Sequence, residues 1–214
     1  MSFTRRLIVG TGPVPCNVML VGEAGGWDEH QQGRPFVGKA GMVLSTYAKA
    51  AGISRGKVYI DNLYPWWVGV GNPDPPEEQI EEGGRLLRAT LRRVKPKFVG
   101  ALGRTPARWF LGDSFEQKRD HGLPKRVEME GLSFIVVPTY HPAAGFYDAS
   151  AAALCQKDIH ALAETVRGER AVWEERELPE SRLVPHPTPR SPDVLPQEGD
   201  AIDTEGSILL PQMM

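Results

Sequence analysis

Four short apolar runs punctuate the first two thirds of the chain, and stretches with apolar residues at helical intervals follow them. Residues 17–22 carry Val18-Met19-Leu20-Val21, a run too short for a helix and bounded by a glycine-rich turn, which reads as a buried strand. Residues 57–61 (KVYID), 97–102 (KFVGAL) and 133–138 (SFIVVP) read the same way. A helix is expected from near Ala40 to Ala51, where Met42, Val43, Tyr47 and Ala50 keep helical spacing and Gly52 provides the stop. A second is expected over 76–94, with Ile80, Leu87 and Leu91 on its apolar side, although Gly83-Gly84 weakens its middle. A short helix through Trp109 to Leu111 follows, and a last one runs from a cap at Asp148 to about Val166, ended by Gly168. The aromatic, Pro- and Gly-rich stretch 63–76, with Trp66 and Trp67, reads as a loop.

Strands alternating with helices predict an α/β fold, a three-layer α/β/α arrangement around a central four-stranded parallel sheet. Parallel strands bring their carboxyl ends to one edge, where open sheets of this class bind ligands. Three of the four ends carry a polar side chain: Glu23 after the first, Asn62 after the second and His141 after the fourth. The loop at 22–26 (GEAGG) adds backbone that can approach a ligand closely, because glycine reaches conformations other residues avoid. These tips are the first pointer to a site.

Composition divides the chain. Residues 1–168 hold 21 Lys+Arg against 17 Asp+Glu, whereas 169–214 hold 4 against 10. The body is therefore mildly basic and the end acidic, which the overall charge of −2 conceals. With seven prolines and no lasting periodicity, 169–214 reads as a disordered tail behind a single domain at 1–168. Its SILL stretch (207–210) is a candidate protein-binding peptide, or simply stray apolar residues. No export leader or membrane-length apolar span is seen, so the expectation is a soluble, cytoplasmic monomer. Cys16 and Cys155 lie far apart without a CxxC pair, which fits a disulfide-free protein. His30, His121, His141, His160 and His186 lack ligand spacing, so no metal site is expected. Arg85, Arg88, Arg92 and Arg93 follow Glu77, Glu78, Glu81 and Glu82 on the 76–94 helix, a solvated, internally paired face before it is a DNA patch.

Four pieces in order, GEAGG with PFVGKAG, then YIDNLYP, then KPKFVGALG, then VPTYHPAA, resemble the uracil-DNA glycosylase superfamily, and within it the family-4 enzymes, from about Asn17 to Ala144. The resemblance implies cleavage of the bond between C1′ of the sugar and the base of a nucleotide flipped out of DNA, single-stranded or a uracil-containing duplex. It assigns Glu23 to orient the attacking water and stabilise the sugar cation, and His141 to donate a hydrogen bond to O2 of the leaving uracil. One such preorganised donor is worth roughly 3–4 kcal/mol. Asn62 would read the uracil edge with one donor and one acceptor, and Phe36 would stack on the base, with Gly22 and Ala24 of the loop facing the site. Each residue also has a plainer reading: core packing for Phe36, a turn for Asn62, a loop cap for His141, a solvated acid for Glu23.

The match breaks in three places. Family-4 enzymes usually carry a four-cysteine iron–sulfur cluster, and two cysteines cannot build it, so no cofactor is expected and Trp66 and Trp67 are expected to supply the missing packing. Trp27-Asp28-Glu29-His30 stands where the family is more acidic, on the expected C5 side of the base, which opens the question of 5-modified uracils. Gly145-Phe146-Tyr147-Asp148 follows the His loop without the family's Arg, leaving Phe146 or Tyr147 as a wedge into the stack, or as part of a packed turn. The alternative to a hydrolase is a module of the same fold that binds an unusual base, DNA or a protein with little or no hydrolysis.

Overall fold

The computed structural model describes residues 6–71 and 73–172. A five-stranded sheet forms the middle layer, with β1 (Val18–Gly25), β2 (Tyr59–Trp67), β3 (Phe98–Leu102), β4 (Lys125–Met129) and β5 (Leu132–Thr139) in the order β2-β1-β3-β5-β4. The four expected strands are mutually parallel, and β4 is an unexpected fifth that pairs antiparallel with β5 at the edge. It belongs to a two-residue hairpin, Glu130-Gly131, whose residues both have positive φ (56° and 70°), the backbone a type I′ turn requires.

Alternation along the strands builds the two outer layers. Met19 and Val21 of β1, Val99 and Ala101 of β3, and Phe134 and Val136 of β5 pack into one cluster. Its helical side comes from α3 (Glu77–Val94) and α4 (Arg104–Leu111), through Leu87, Leu91, Val94, Ala107 and Phe110. Val18 and Leu20 of β1, with Ile60 of β2 and Val137 of β5, face the opposite cluster. There α2 (Lys39–Ala50) and α6 (Ala149–Val166) contribute Leu44, Ala48, Ile159 and Leu162. Two short helices, α1 (Trp27–Gln32) and α5 (Gln117–Asp120), complete the set and were not expected. Asp148 caps α6 as expected, accepting from the Ser150 N–H at 2.8 Å.

The stretch expected as a loop after Asn62 instead continues β2 through Trp67. Pro65 masked this, but β2 is an edge strand, where a residue without an N–H is tolerated. The lead-in segment covers part of that edge, with an isolated bridge from Thr11 to Ile60. The acidic tail expected from residue 169 lies, from 173 onward, outside the described residues. No helix among the described residues is long and apolar enough to cross a membrane.

Candidate active site

A cavity of about 730 Å³ opens at the carboxyl edge of the sheet, and its wall includes Ala24, Phe36, Asn62 and His141. Asn62 is the unusual member. It is 2% exposed, and neither its Oδ1 nor its Nδ2 has a hydrogen-bonding partner in the protein. An unpaired buried polar atom costs about 1–3 kcal/mol, so an amide carrying two of them on a residue that lines a cavity suits a ligand with a complementary donor and acceptor. Gly22 pairs with Asn62 in register, and a Cβ there would lie 2.6 Å from Asn62 Oδ1 and from two atoms of the Phe36 ring. The floor of the site therefore admits no side chain at position 22.

Phe36 is buried and takes a left-handed conformation, φ 53°, rare for a residue with a Cβ. Three residues hold it there. Arg55 Nη2 donates to the Phe36 and Pro35 carbonyls at 2.8 and 3.1 Å, while Nη1 donates to Ser45 Oγ at 3.1 Å. Glu29, itself buried, accepts from the Val37 and Gly38 N–H groups at 2.8 Å each and from the Gly26 N–H at 3.1 Å. Gly41 lets the turn close, since a Cβ there would fall 1.9 Å from the Phe36 carbonyl oxygen. Arg55 was not singled out from sequence, and Glu29 and Gly41 were named only within longer stretches, Trp27-Asp28-Glu29-His30 and PFVGKAG. For Glu29 a signal existed, an acid three residues after Gly26 at a helix start; Arg55 offered none.

The ring of Phe36 lies 6.0 Å from that of His141, centroid to centroid. His141 Nδ1 accepts from the Ala143 N–H at 3.2 Å. Burial pushes the imidazole down to about 4, so it is neutral at pH 7. With Nδ1 occupied as an acceptor, the one proton of the neutral ring sits on Nε2. His141 is thus an uncharged donor, able to meet negative charge that builds up on a leaving group.

Glu23 is placed differently. It is not part of the cavity wall, because alternation along β1 sends it to the face opposite Gly22 and Ala24, toward the start of α4. Burial raises its carboxyl above the ordinary glutamate value, against a hydrogen bond donated by the Thr105 side chain; Asp74 raises it further and Arg104 opposes. Its partners Thr105 and Arg104 open α4 directly after Gly103, where a Cβ would sit 3.3 Å from that of His141. Of the residues expected at the site, Ala24, Phe36, Asn62 and His141 line one cavity, Gly22 lies against Asn62 and Phe36, and Glu23 is not among the lining residues.

Two aromatic groups surround these residues. Trp66 is buried and packs against Tyr64 with ring centroids 5.1 Å apart. Trp67 and Trp27 both line the cavity, their rings edge to face at 4.8 Å. Beyond His141, Phe146 and Tyr147 are 48% and 91% exposed, and Tyr147 reaches the cavity mouth. The arginines of α3 are largely committed elsewhere: Arg88 and Arg92 pair with Glu130, and Arg93 donates to the Tyr59 hydroxyl at 2.7 Å.

The residues present do not fit a four-thiolate iron–sulfur cluster. Cys16 and Cys155 are buried in separate core clusters on opposite faces of the sheet. No group of three or more His, Cys, Asp or Glu among the described residues is disposed to hold a metal ion. Apolar burial also pushes the Cys155 thiol up to about 12, away from the thiolate a metal would need.

Residues 9–164 match the family model of the Uracil DNA glycosylase superfamily. The Type-4 uracil-DNA glycosylase of Sulfurisphaera tokodaii is 30% identical over 197 residues, covering 84% of this chain and 89% of that protein. The enzymes of the same name from Archaeoglobus fulgidus and Thermotoga maritima are 34% and 35% identical over 145 and 139 residues. Those alignments cover 65% and 64% of this chain, and 72% and 70% of the relatives. A mostly parallel sheet with its cavity at the carboxyl edge and a family match spanning every strand lead to one assignment: the chain belongs to the uracil-DNA glycosylase superfamily, as a glycosylase-type hydrolase akin to the type-4 enzymes.

Proposed function

We propose that this protein hydrolyses the N-glycosidic bond of uracil, or of a 5-modified uracil, everted from DNA, acting as a cytoplasmic monomer through its own side chains. The observation that carries this reading is the amide of Asn62, buried and without a protein partner at the base of the cavity. Its Oδ1 would accept from N3–H of the base and its Nδ2 would donate to O4, a pattern that cytosine does not offer. Phe36 would cover the ring, and Nε2–H of His141 would donate to O2 as the C1′–N1 bond breaks and its electron pair moves onto the base. Water then adds to C1′ and gives up one proton, which ends on the departed base, with Glu23 stabilising the sugar cation and steering the incoming oxygen. The two cysteines, buried on opposite faces of the sheet, offer no place for a thiolate cluster.

The placement of Glu23 off the cavity wall favours a second reading, a module that binds the base without releasing it. Single-turnover release of uracil from a labelled oligonucleotide, single-stranded and duplex, separates the two. The hydrolase reading expects release by the wild type, lowered about 100-fold or more in Asn62→Ala and His141→Ala and steeply in Glu23→Gln. Tight binding with no release supports the module instead.

A further inference from the structure

The cavity is much larger than one pyrimidine. A base of eight heavy atoms occupies roughly 240 Å³ at the volume of a liquid water per atom, against the 730 Å³ of the cavity. We propose that the surplus is a subsite for a substituent on C5 of the base, larger than a methyl group and with a flat or apolar body, walled by Trp27 and Trp67. The inference rests on the base being held as proposed above.

Strand order gives the direction. His141 follows β5, whereas Asn62 and Trp67 both belong to β2, with β1 and β3 between them. A pyrimidine whose O2 meets His141 and whose N3–H and O4 meet Asn62 turns C5, the neighbour of C4, away from β5 and toward β2. On that side the cavity is lined by Trp67, Gly69, Val70 and Gly71. Trp67 lies five residues beyond Asn62 and pairs with Gly25 across a shift in register. Trp27 stands against Trp67, and the His30 ring lies 5.5 and 5.4 Å from the two indoles. His30, behind the two indoles, has its Nδ1 buried without a protein partner. Asp28 and Lys39 also line the cavity. A wall of indole rings gains from contact with a flat or apolar group and gives little to the bare C5–H of uracil.

The other occupant such a wall could take is the neighbouring base of a single strand, and the experiment separates the two. One oligonucleotide is made with uracil, 5-methyluracil, 5-hydroxymethyluracil or 5-phenyluracil at the same position, and single-turnover release and equilibrium binding are both measured. The subsite predicts that the wild type processes the 5-phenyl base within about tenfold of uracil. It also predicts that Trp67→Ala and Trp27→Ala each lower the 5-phenyl to uracil ratio at least fivefold. Trp27 is 48% exposed, so its replacement tests the wall at a position with a modest folding cost.

Release of uracil with rejection of the 5-phenyl base would overturn the subsite and leave the glycosylase reading standing. If no base is released, binding decides: tighter binding of the 5-phenyl oligonucleotide, lost in Trp27→Ala, supports the subsite, and equal binding overturns it. A ratio unmoved by the Trp replacements, together with rates that fall when the flanking nucleotide is made abasic, assigns the wall to the neighbouring base and overturns the proposal.

Discussion

Asp158 of α6 accepts the backbone N–H of Tyr140 at 2.9 Å, and so fixes the chain one residue before His141. Its other oxygen meets His121 Nδ1 at 2.7 Å, and the His121 ring packs edge to face on Tyr140 with centroids 5.0 Å apart. Asp158 is 1% exposed, so its removal leaves the Tyr140 N–H without a partner in a buried setting. Asp158→Ala should cost about 2–3 kcal/mol and lower the rate per folded molecule, with kcat falling more than KM rises, because His141 loses its placement. Asp158→Asn keeps an acceptor for Tyr140 and should recover most of that rate. Thermal unfolding alongside single-turnover rates is the check; a loss of stability with an unchanged rate would make Asp158 structural alone.

Gly22 has no room for a side chain. In Gly22→Ala the new methyl would lie 2.6 Å from Asn62 Oδ1 and from the Phe36 ring, and Phe36 cannot retreat because Arg55 and Glu29 pin its loop. Overpacking of this kind typically costs about 1–3 kcal/mol. The displaced ring should also weaken base binding at least tenfold. Urea unfolding and affinity for a uracil oligonucleotide measure the two effects, and a variant that binds normally would show that Phe36 does not cover the base.

Much of this was legible in the sequence, and the omissions have physical causes. The apolar runs at Val18, Ile60, Val99 and Val136 gave the parallel strands because strands buried on both faces are apolar almost throughout. The fifth strand, KRVEM, is partly exposed along its length and carries no such run. Gathering Glu23, Asn62 and His141 at one sheet edge followed from topology, but topology does not say which face each side chain takes. Parity does: Gly22 and Ala24 lie on the Phe36 side of β1, and Glu23 between them turns to α4. The supports of Phe36 were invisible for another reason. Arg55 reaches back 19 residues to the Phe36 carbonyl, and no local pattern announces such a contact.

His141 makes stability depend on pH in a defined window. The unfolded chain protonates this imidazole near the ordinary value of 6.5, whereas the folded chain holds it neutral down to about 4. Stability is therefore full above about pH 6.5 and is lost as pH falls toward 4, by at most about 3 kcal/mol. His141→Gln removes this titration while keeping an amide donor. Its stability relative to wild type should rise steadily between pH 7 and pH 4.5, read from urea midpoints. Parallel curves across that range would mean that the imidazole is not desolvated.

Asp61 should show the opposite slope. It is 7% exposed and faces the α3 side of β2; burial pushes it up to about 7, against the opposing Asn62 N–H bond and the Arg93 charge. The unfolded chain releases this proton near 4 and the folded chain near 7, so stability falls as pH rises between those values and stays low above them. The full difference amounts to about 4 kcal/mol. Asp61→Asn has no charge to bury, and its side-chain oxygen can still accept the Asn62 N–H that Asp61 Oδ1 accepts at 2.9 Å. The variant should be more stable than wild type by more than about 2 kcal/mol at pH 8, with the gain shrinking toward zero near pH 4. Urea unfolding of both proteins at pH 4.5, 6 and 8 measures it. A gain that does not vary with pH would show that Asp61 ionises as an ordinary surface carboxylate does, and that the pocket beside Arg93 carries no electrostatic cost.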